Sequence, residues 1–293
     1  MDRSEPASKF VAQAACYNFH IADLSDLRLQ MADLHLITNN KNLLYSLPRP
    51  VIYAHRGASR YAPENTLVAF ELAIRQGADA IELDARLTAD ENVVVFHDET
   101  LDRVTSSAGD VSAKTLLELK ALDAGSHFDI AFHGEPIPAL DEVLEAVGRR
   151  IFINIELKNY RAIFNQLPEK VSESIKKHNL EHRVMFSSFN PVAVIKAKRM
   201  LPQVPIGLLA LSGSRGRWAR SWTGTLIDYH ALHPHYTDVD AALIAKMHQK
   251  HRWVQTYTVK EAAEMQRLAA LDIDGIITYD PLLANNTIRR DRL

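Results

Sequence analysis

The sequence predicts an α/β fold, a (β/α)8 barrel with a small insertion near the C-terminal mouth. Three observations predict it. Short apolar strand patterns alternate with helical patterns from residue 51 onward, which implies a parallel sheet joined by crossover helices. The strand patterns number nine, one more than such a barrel takes, but two of them are separated by only eight residues, 85–92. A parallel crossover needs a dozen or more residues, so this connection is a hairpin and eight parallel strands remain. Residues 100–138 hold Gly109, Gly125, Gly134, Pro136 and Pro138 around one short helical run, and they read as an excursion over the mouth.

Residues 1–48 form a separate N-terminal helical extension. Ile21, Leu24, Leu27, Met31 and Leu34 recur at helical spacing, with Asp23, Asp26, Arg28 and Asp33 between them. An acidic polar face argues against a membrane-surface helix, which carries Lys and Arg. The pattern fits a helix packed on the main domain; its second reading is a homo-oligomer contact. Pro48-Arg49-Pro50 opens the main domain, 49–293.

Residues 51–55 are the first strand. Asn65 or Thr66 caps a helix over 67–76, and Gly77 is placed as its C′ residue. The strand 80–84 follows. A tip at Asp90-Glu91 then pairs Ala89 with Asn92, Arg86 with Val95 and Asp84 with His97, so Glu82, Asp84 and His97 share one face. Helices are expected over 113–122 and 140–147. Further strands are expected over 151–156, 184–187, 206–210, 229–233, 253–258 and 275–278, with helices over 163–178, 191–200, 239–250 and 261–270. Residues 212–218 read as a second loop, mobile by composition, at the mouth.

Composition narrows the function. The chain has 293 residues, 47% of them hydrophobic, which is ample for a large core. A net charge of −2 gives no footprint for a nucleic-acid partner. One cysteine, Cys16, excludes an internal disulfide. No uninterrupted apolar run reaches 18 residues, so no membrane span is expected. The N-terminus has acidic residues and no long apolar core of a secretory signal, so a cytoplasmic location is expected.

The chemistry sits in three strand ends: Ala54-His55-Arg56-Gly57, Glu82-Leu83-Asp84 and Phe96-His97-Asp98. Glu82 and Asp84 project to one side of an apolar strand and repel each other unless a cation joins them. Glu156 ends another strand and matches them. Three carboxylates without a thiolate suit one hard divalent cation, Mg²⁺ or Ca²⁺, with Mn²⁺ also admitted. The competing reading is a structural ion-pair cluster. His55 and His97 are an acid/base pair whose ordinary pKa, near 6.5, suits proton transfer at neutral pH; metal ligation by one of them is the rival role. Arg56 offers a planar fork for phosphate and Lys158 a point charge. Three carboxylates, a divalent cation, one Arg, one Lys and a phosphodiester monoanion sum to zero, so a monoanionic phosphate ester completes the site. His233, His235, Tyr257 and the arginines of 213–220 are weaker candidates for the lining of the mouth.

Together, His55-Arg56-Gly57-Ala58-Ser59, Pro63-Glu64-Asn65-Thr66, Glu82-Leu83-Asp84, His97-Asp98, Glu156-Leu157-Lys158 and Asp274-Gly275-Ile276-Ile277-Thr278 resemble the glycerophosphodiester phosphodiesterases, over residues 51–284. The resemblance implies a TIM barrel and divalent-metal-dependent hydrolysis of glycerophosphodiesters to sn-glycerol 3-phosphate and an alcohol. It implies that Glu82, Asp84 and Glu156 hold the metal, that His55 and His97 are acid and base, that Arg56 and Lys158 contact phosphate, and that Glu64 lies near the same pocket. The family's late Trp-Thr-Val-Asn reads here Tyr257-Thr258-Val259-Lys260, with Tyr257 keeping an aromatic face on the substrate, and its closing Thr-Asp-Pro carries one inserted residue, Tyr279. A lysophospholipase D shares the phosphoryl site and differs by an acyl groove, for which Phe128, Ile130 and Phe132 are the candidates. A non-catalytic sensor of the same diesters is the alternative from another class; the two histidines weigh against it.

Overall fold

The computed structural model describes residues 42–289. The predicted helix over Ile21 to Leu34, and with it the oligomer contact, lies outside the described residues. Eight parallel strands close into a barrel. They are β1 Val51–His55, β2 Ala80–Leu87, β4 Phe152–Leu157, β5 Val184–Ser188, β6 Ile206–Ala210, β7 Ala231–Pro234, β8 Trp253–Thr256 and β9 Gly275–Thr278, and β9 pairs back onto β1. Helices α1 Leu67–Arg75, α3 Leu140–Val147, α4 Leu167–His178, α5 Pro191–Met200, α7 Ala241–His248, α8 Ala262–Ala270 and α9 Pro281–Ile288 cover the outside. Thr66, not Asn65, caps α1 by accepting from Ala69 N, and Gly77 follows the helix at φ +75°.

Alternation along each strand divides the core. Ile52, Ala54, Ile81, Leu83, Ile153 and Ile155 face the helices. Val51, Tyr53, Ala80, Phe152, Met185 and Ala231 face inward and fill the lower barrel. Leu43 and Leu44, in a turn at Leu43–Ser46, close that lower end, ahead of the boundary expected at residue 48. Asn42 Nδ2 anchors the turn on the carbonyls of Glu181 and Val184, at 3.0 and 3.1 Å.

The ninth strand, β3 Val93–Val95, is antiparallel to β2, as a hairpin requires. Its register is one residue off the expected one: Arg86 pairs with Val94 and Ala85 with Val95. Glu91 adopts a left-handed φ of +58°, so the tip takes three residues, Ala89 to Glu91, instead of two. Asp84 therefore lies opposite Phe96, whose N–H donates to Asp84 O at 2.8 Å, and not opposite His97.

The excursion has its own small core of Val94, Phe96, Leu101, Val104, Val111 and Leu119. Its helix is shorter than expected, α2 Leu116–Lys120, started by a capping box between Thr115 and Glu118. The segment read as a mobile loop is a 3-10 turn, Gly213–Gly216, running into a short helix, α6 Arg217–Arg220. Arg220 ties it down by donating to Leu211 O and Gly213 O and by pairing with Asp238 at 3.0 Å. The strand expected over 229–233 begins two residues later, at Ala231.

Candidate active site

β1 ends at His55, and the chain turns at once. Arg56 has φ +58° and Gly57 φ +83°. A Cβ on Gly57 would sit 2.7 Å from the carbonyl carbon and Cβ of Ala69 in α1, so only glycine lets the turn pack there. The turn aims Arg56 into the mouth, where its N–H donates to Glu82 O at 2.8 Å.

The three predicted carboxylates meet. Glu82 and Asp84 lie on one face of β2, and the register pairs Asp84 with Glu156 of β4. All three are buried, and one oxygen from each lies within 4.8 Å of the other two. Burial, then Asp84 and Glu156, push the Glu82 carboxyl well above its ordinary range. Burial also raises Asp84, but Lys158, Arg56 and His97 outweigh it and hold that carboxyl below its ordinary range. Among the described residues Asp84 Oδ1 accepts no hydrogen bond, and Lys158 Nζ lies 3.3 Å from it. Three converging buried carboxylates, one raised by the others and one with an unfilled lone pair, fit a hard divalent cation.

Two cations flank this cluster. Arg56 pairs with Asp84 through Nε at 3.2 Å and with Glu64 through Nη1 at 3.0 Å. Lys158 Nζ lies 3.2 Å from Glu156 and is buried; burial lowers the ammonium's pKa, but Glu156 and Asp84 prevail and raise it. Glu64 bridges Arg56 and Arg103, so it sits beside the pocket as a brace for the arginine.

His55 and His97 line one cavity of about 160 Å³ together with Arg56, Glu82, Glu156 and Lys158. Burial, then Arg56, push the His55 imidazole well below its ordinary pKa, so it stands neutral. Its Nε2 is 3.6 Å from Glu82, its Nδ1 has no hydrogen-bond partner among the described residues, and its ring lies 4.7 Å from that of Tyr279. His97 is placed differently. Its Nδ1 is 2.5 Å from Asp98 Oδ1, which leaves Nε2 as the nitrogen free for the cavity. Burial raises Asp98, but Arg103 and His97 bring it down to about 2, so it is a carboxylate. Despite the shifted hairpin register, Arg86 fixes this backbone by donating twice to His97 O, at 2.9 and 2.7 Å.

Several contributors were not singled out in the sequence. Asn65 Nδ2 donates to Asp84 Oδ2 at 2.9 Å and orients it; its signal was its place in Pro63-Glu64-Asn65-Thr66. Tyr160 Oη donates to Glu156 Oε1 at 2.5 Å. Asp98 followed His97 in the motif without a role. Tyr257 lines the cavity, as expected, with its hydroxyl on Ala210 O at 2.8 Å. His233 does not reach the mouth: it is fully buried in the barrel interior, its ring over Gly207. His235 is bonded to Thr237 at 2.8 Å, with its ring 5.8 Å from that of Tyr257. Phe128, Ile130 and Phe132, the acyl-groove candidates, line neither this cavity nor the neighbouring cleft of about 460 Å³ that Arg60, Arg103 and Lys260 share.

The model of the glycerophosphoryl diester phosphodiesterase family matches residues 55–283. A glycerophosphodiester phosphodiesterase of Caldanaerobacter subterraneus subsp. tengcongensis is 40% identical over 243 residues, 83% of this chain and 99% of its own. Among solved structures, an Oleispira antarctica phosphodiesterase in complex with the product sn-glycerol-3-phosphate superposes with a TM-score of 0.76 at 31% identity, covering 84% of this chain and 98% of that one. A glycerophosphodiester phosphodiesterase from Agrobacterium tumefaciens gives a TM-score of 0.71 at 30% identity, covering 80% and 98%.

Proposed function

The chain belongs to the glycerophosphoryl diester phosphodiesterase family, which makes it a phosphoric diester hydrolase, and from that premise we propose how its own residues carry the reaction. The substrate is a glycerophosphodiester and the products are sn-glycerol 3-phosphate and an alcohol. Glu82, Asp84 and Glu156 hold one divalent cation, Mg²⁺, Ca²⁺ or Mn²⁺. When bound, that ion supplies positive charge to the phosphoryl oxygens. Arg56 and Lys158 contact the same oxygens and stabilise the charge that builds on them in the transition state. His55, neutral and flanked by cations, takes the proton of the nucleophile, either water, which gives sn-glycerol 3-phosphate directly, or the neighbouring glycerol 2-hydroxyl, which gives a cyclic phosphate that a water molecule then opens. His97, held through Nδ1 by Asp98, gives a proton from Nε2 to the leaving alkoxide.

The observation that carries this reading is the shared cavity: both histidines, Arg56, Lys158 and two of the three carboxylates open onto one space. The test is turnover of glycerophosphocholine with and without a chelator. Chelation should abolish release of choline, and Mg²⁺, Ca²⁺ or Mn²⁺ should restore it. Full activity after exhaustive chelation contradicts the metal role; no turnover under any metal leaves a binding protein.

A further inference from the structure

We propose that Asn154 and Ser187 form the floor of the half-site for glycerol and set selectivity for glycerol diesters by hydrogen-bonding its terminal hydroxyl; this rests on the reaction proposed above. The catalytic cavity reaches down between the strands to these two side chains. Asn154 of β4 pairs in register with Glu82, and Ser187 of β5 with Glu156, so each stands beside a carboxylate of the cluster. Both residues are 1% exposed. Among the described residues, Asn154 Oδ1 and Ser187 Oγ have no hydrogen-bond partner. A buried amide or hydroxyl oxygen left unpaired is destabilising, so both call for an occupant that hydrogen-bonds.

The remaining walls narrow the chemistry of that occupant. Leu209 and Ile277 line the same cavity, and they offer apolar contact to a carbon skeleton. Neither floor residue carries charge, so neither adds to the hold on phosphate, which belongs to Arg56 and Lys158. Hydroxyl partners below, apolar walls beside and cations above match a short polyol phosphate. At about 160 Å³ the cavity is smaller than the roughly 300–1,000 Å³ of drug-sized sites, so it has room for a short polyol and not for a long acyl chain within it. A site built to hydrogen-bond a substrate hydroxyl discriminates against the analogue that lacks it, because its own polar groups are then left unpaired.

Calorimetry in Mg²⁺ with two ligands tests the assignment: sn-glycerol 3-phosphate, and 2-hydroxypropyl phosphate, which lacks the terminal hydroxyl. The wild type should prefer the first by roughly tenfold or more. Ser187→Ala and Asn154→Ala should each weaken sn-glycerol 3-phosphate by about tenfold and bring the ratio of the two affinities toward one. Ser187→Cys, close in shape with a weaker donor, should fall between. A general loss of packing or of metal weakens both ligands alike and leaves the ratio unchanged. An unchanged ratio in folded variants, or a wild type that binds both ligands equally, overturns the assignment and leaves water as the occupant of the floor. Turnover of glycerophosphocholine by the wild type is followed separately: its absence overturns the reaction, while the affinity ratio still decides the floor.

Discussion

Two histidines in this barrel are buried and neutral, and their surroundings give them different tasks. His55 opens onto the cavity with its Nδ1 unpaired, beside Arg56. His233 lies inside the barrel over Gly207, where any Cβ would come within 2.6 Å of its ring. The sequence distinguished them only partly. His55 was legible because an apolar strand ended in it and a second histidine shared its neighbourhood. His233 was grouped with the mouth because it was expected to end its strand, whereas the strand runs on to Pro234 and the His233 side chain points inward. His55→Ala and His97→Ala should each lower kcat on glycerophosphocholine by about 10²- to 10⁴-fold, and the double variant should lose less than the product of the two. A p-nitrophenyl diester, whose leaving group needs no proton, should rescue His97→Ala and not His55→Ala; rescue of the opposite variant reverses the roles. The test for His233 is pH. Burial takes its imidazole down to about 4, against about 6.5 in the unfolded chain. Below pH 6.5 the unfolded state then binds more protons, so stability is lost as pH falls from 6.5 toward 4, by about 3 kcal/mol from this group. Urea unfolding at pH 7 and pH 4 should show a smaller acid loss, by about that amount, in His233→Gln; an equal loss contradicts the burial argument.

At the scale of elements, strand ends were readable and the turns between them less so. Period-two alternation placed Glu82, Asp84 and Glu156 inward, because side-chain direction in a strand depends only on parity. The hairpin after β2 was read from the same parity, but its register depends on the tip. A left-handed Glu91 is invisible to pattern reading, since glutamate carries no preference for positive φ. The error cost little, because Arg86 holds the His97 carbonyl wherever the ladder stops. Gly57, directly after His55-Arg56, makes a second turn that the sequence pattern did not single out. Replacing it by alanine meets two penalties, a left-handed residue with a Cβ at about 1–2 kcal/mol and a 2.7 Å approach to the backbone of α1. Gly57→Ala should therefore lower stability by about 2 kcal/mol or more in urea unfolding. It should also cut kcat, because Arg56 and His55 move with the turn. A variant with wild-type stability and kcat would show that α1 can retreat without disturbing the site.

Across the whole molecule, the carboxylate cluster links the chemistry to the stability of the barrel. β2 and β4 are adjacent, and their upper ends carry three acids whose charges repel in the absence of a cation. Lys158 and Arg56 relieve part of that repulsion, yet burial, then Asp84 and Glu156, still push Glu82 well above its ordinary range. Metal should then bind the folded chain far better than the unfolded one, since only folding brings the three acids together. Linkage turns that difference into stability, about 2.7 kcal/mol at a free ion concentration one hundred times Kd. The melting temperature should rise with added Mg²⁺, Ca²⁺ or Mn²⁺ and level off only logarithmically. Glu82→Gln replaces the carboxyl whose charge burial and its neighbours disfavour, so it should leave the melting temperature of the metal-free barrel unchanged or raised and at the same time flatten the response to metal. Those opposite signs separate a metal centre from an ion-pair network. In an ion-pair network the carboxylates serve only to neutralise Arg56 and Lys158, and the loss of Glu82 lowers the melting temperature with or without divalent ions. A melting temperature indifferent to all three ions, with a lower value in Glu82→Gln, decides for the network.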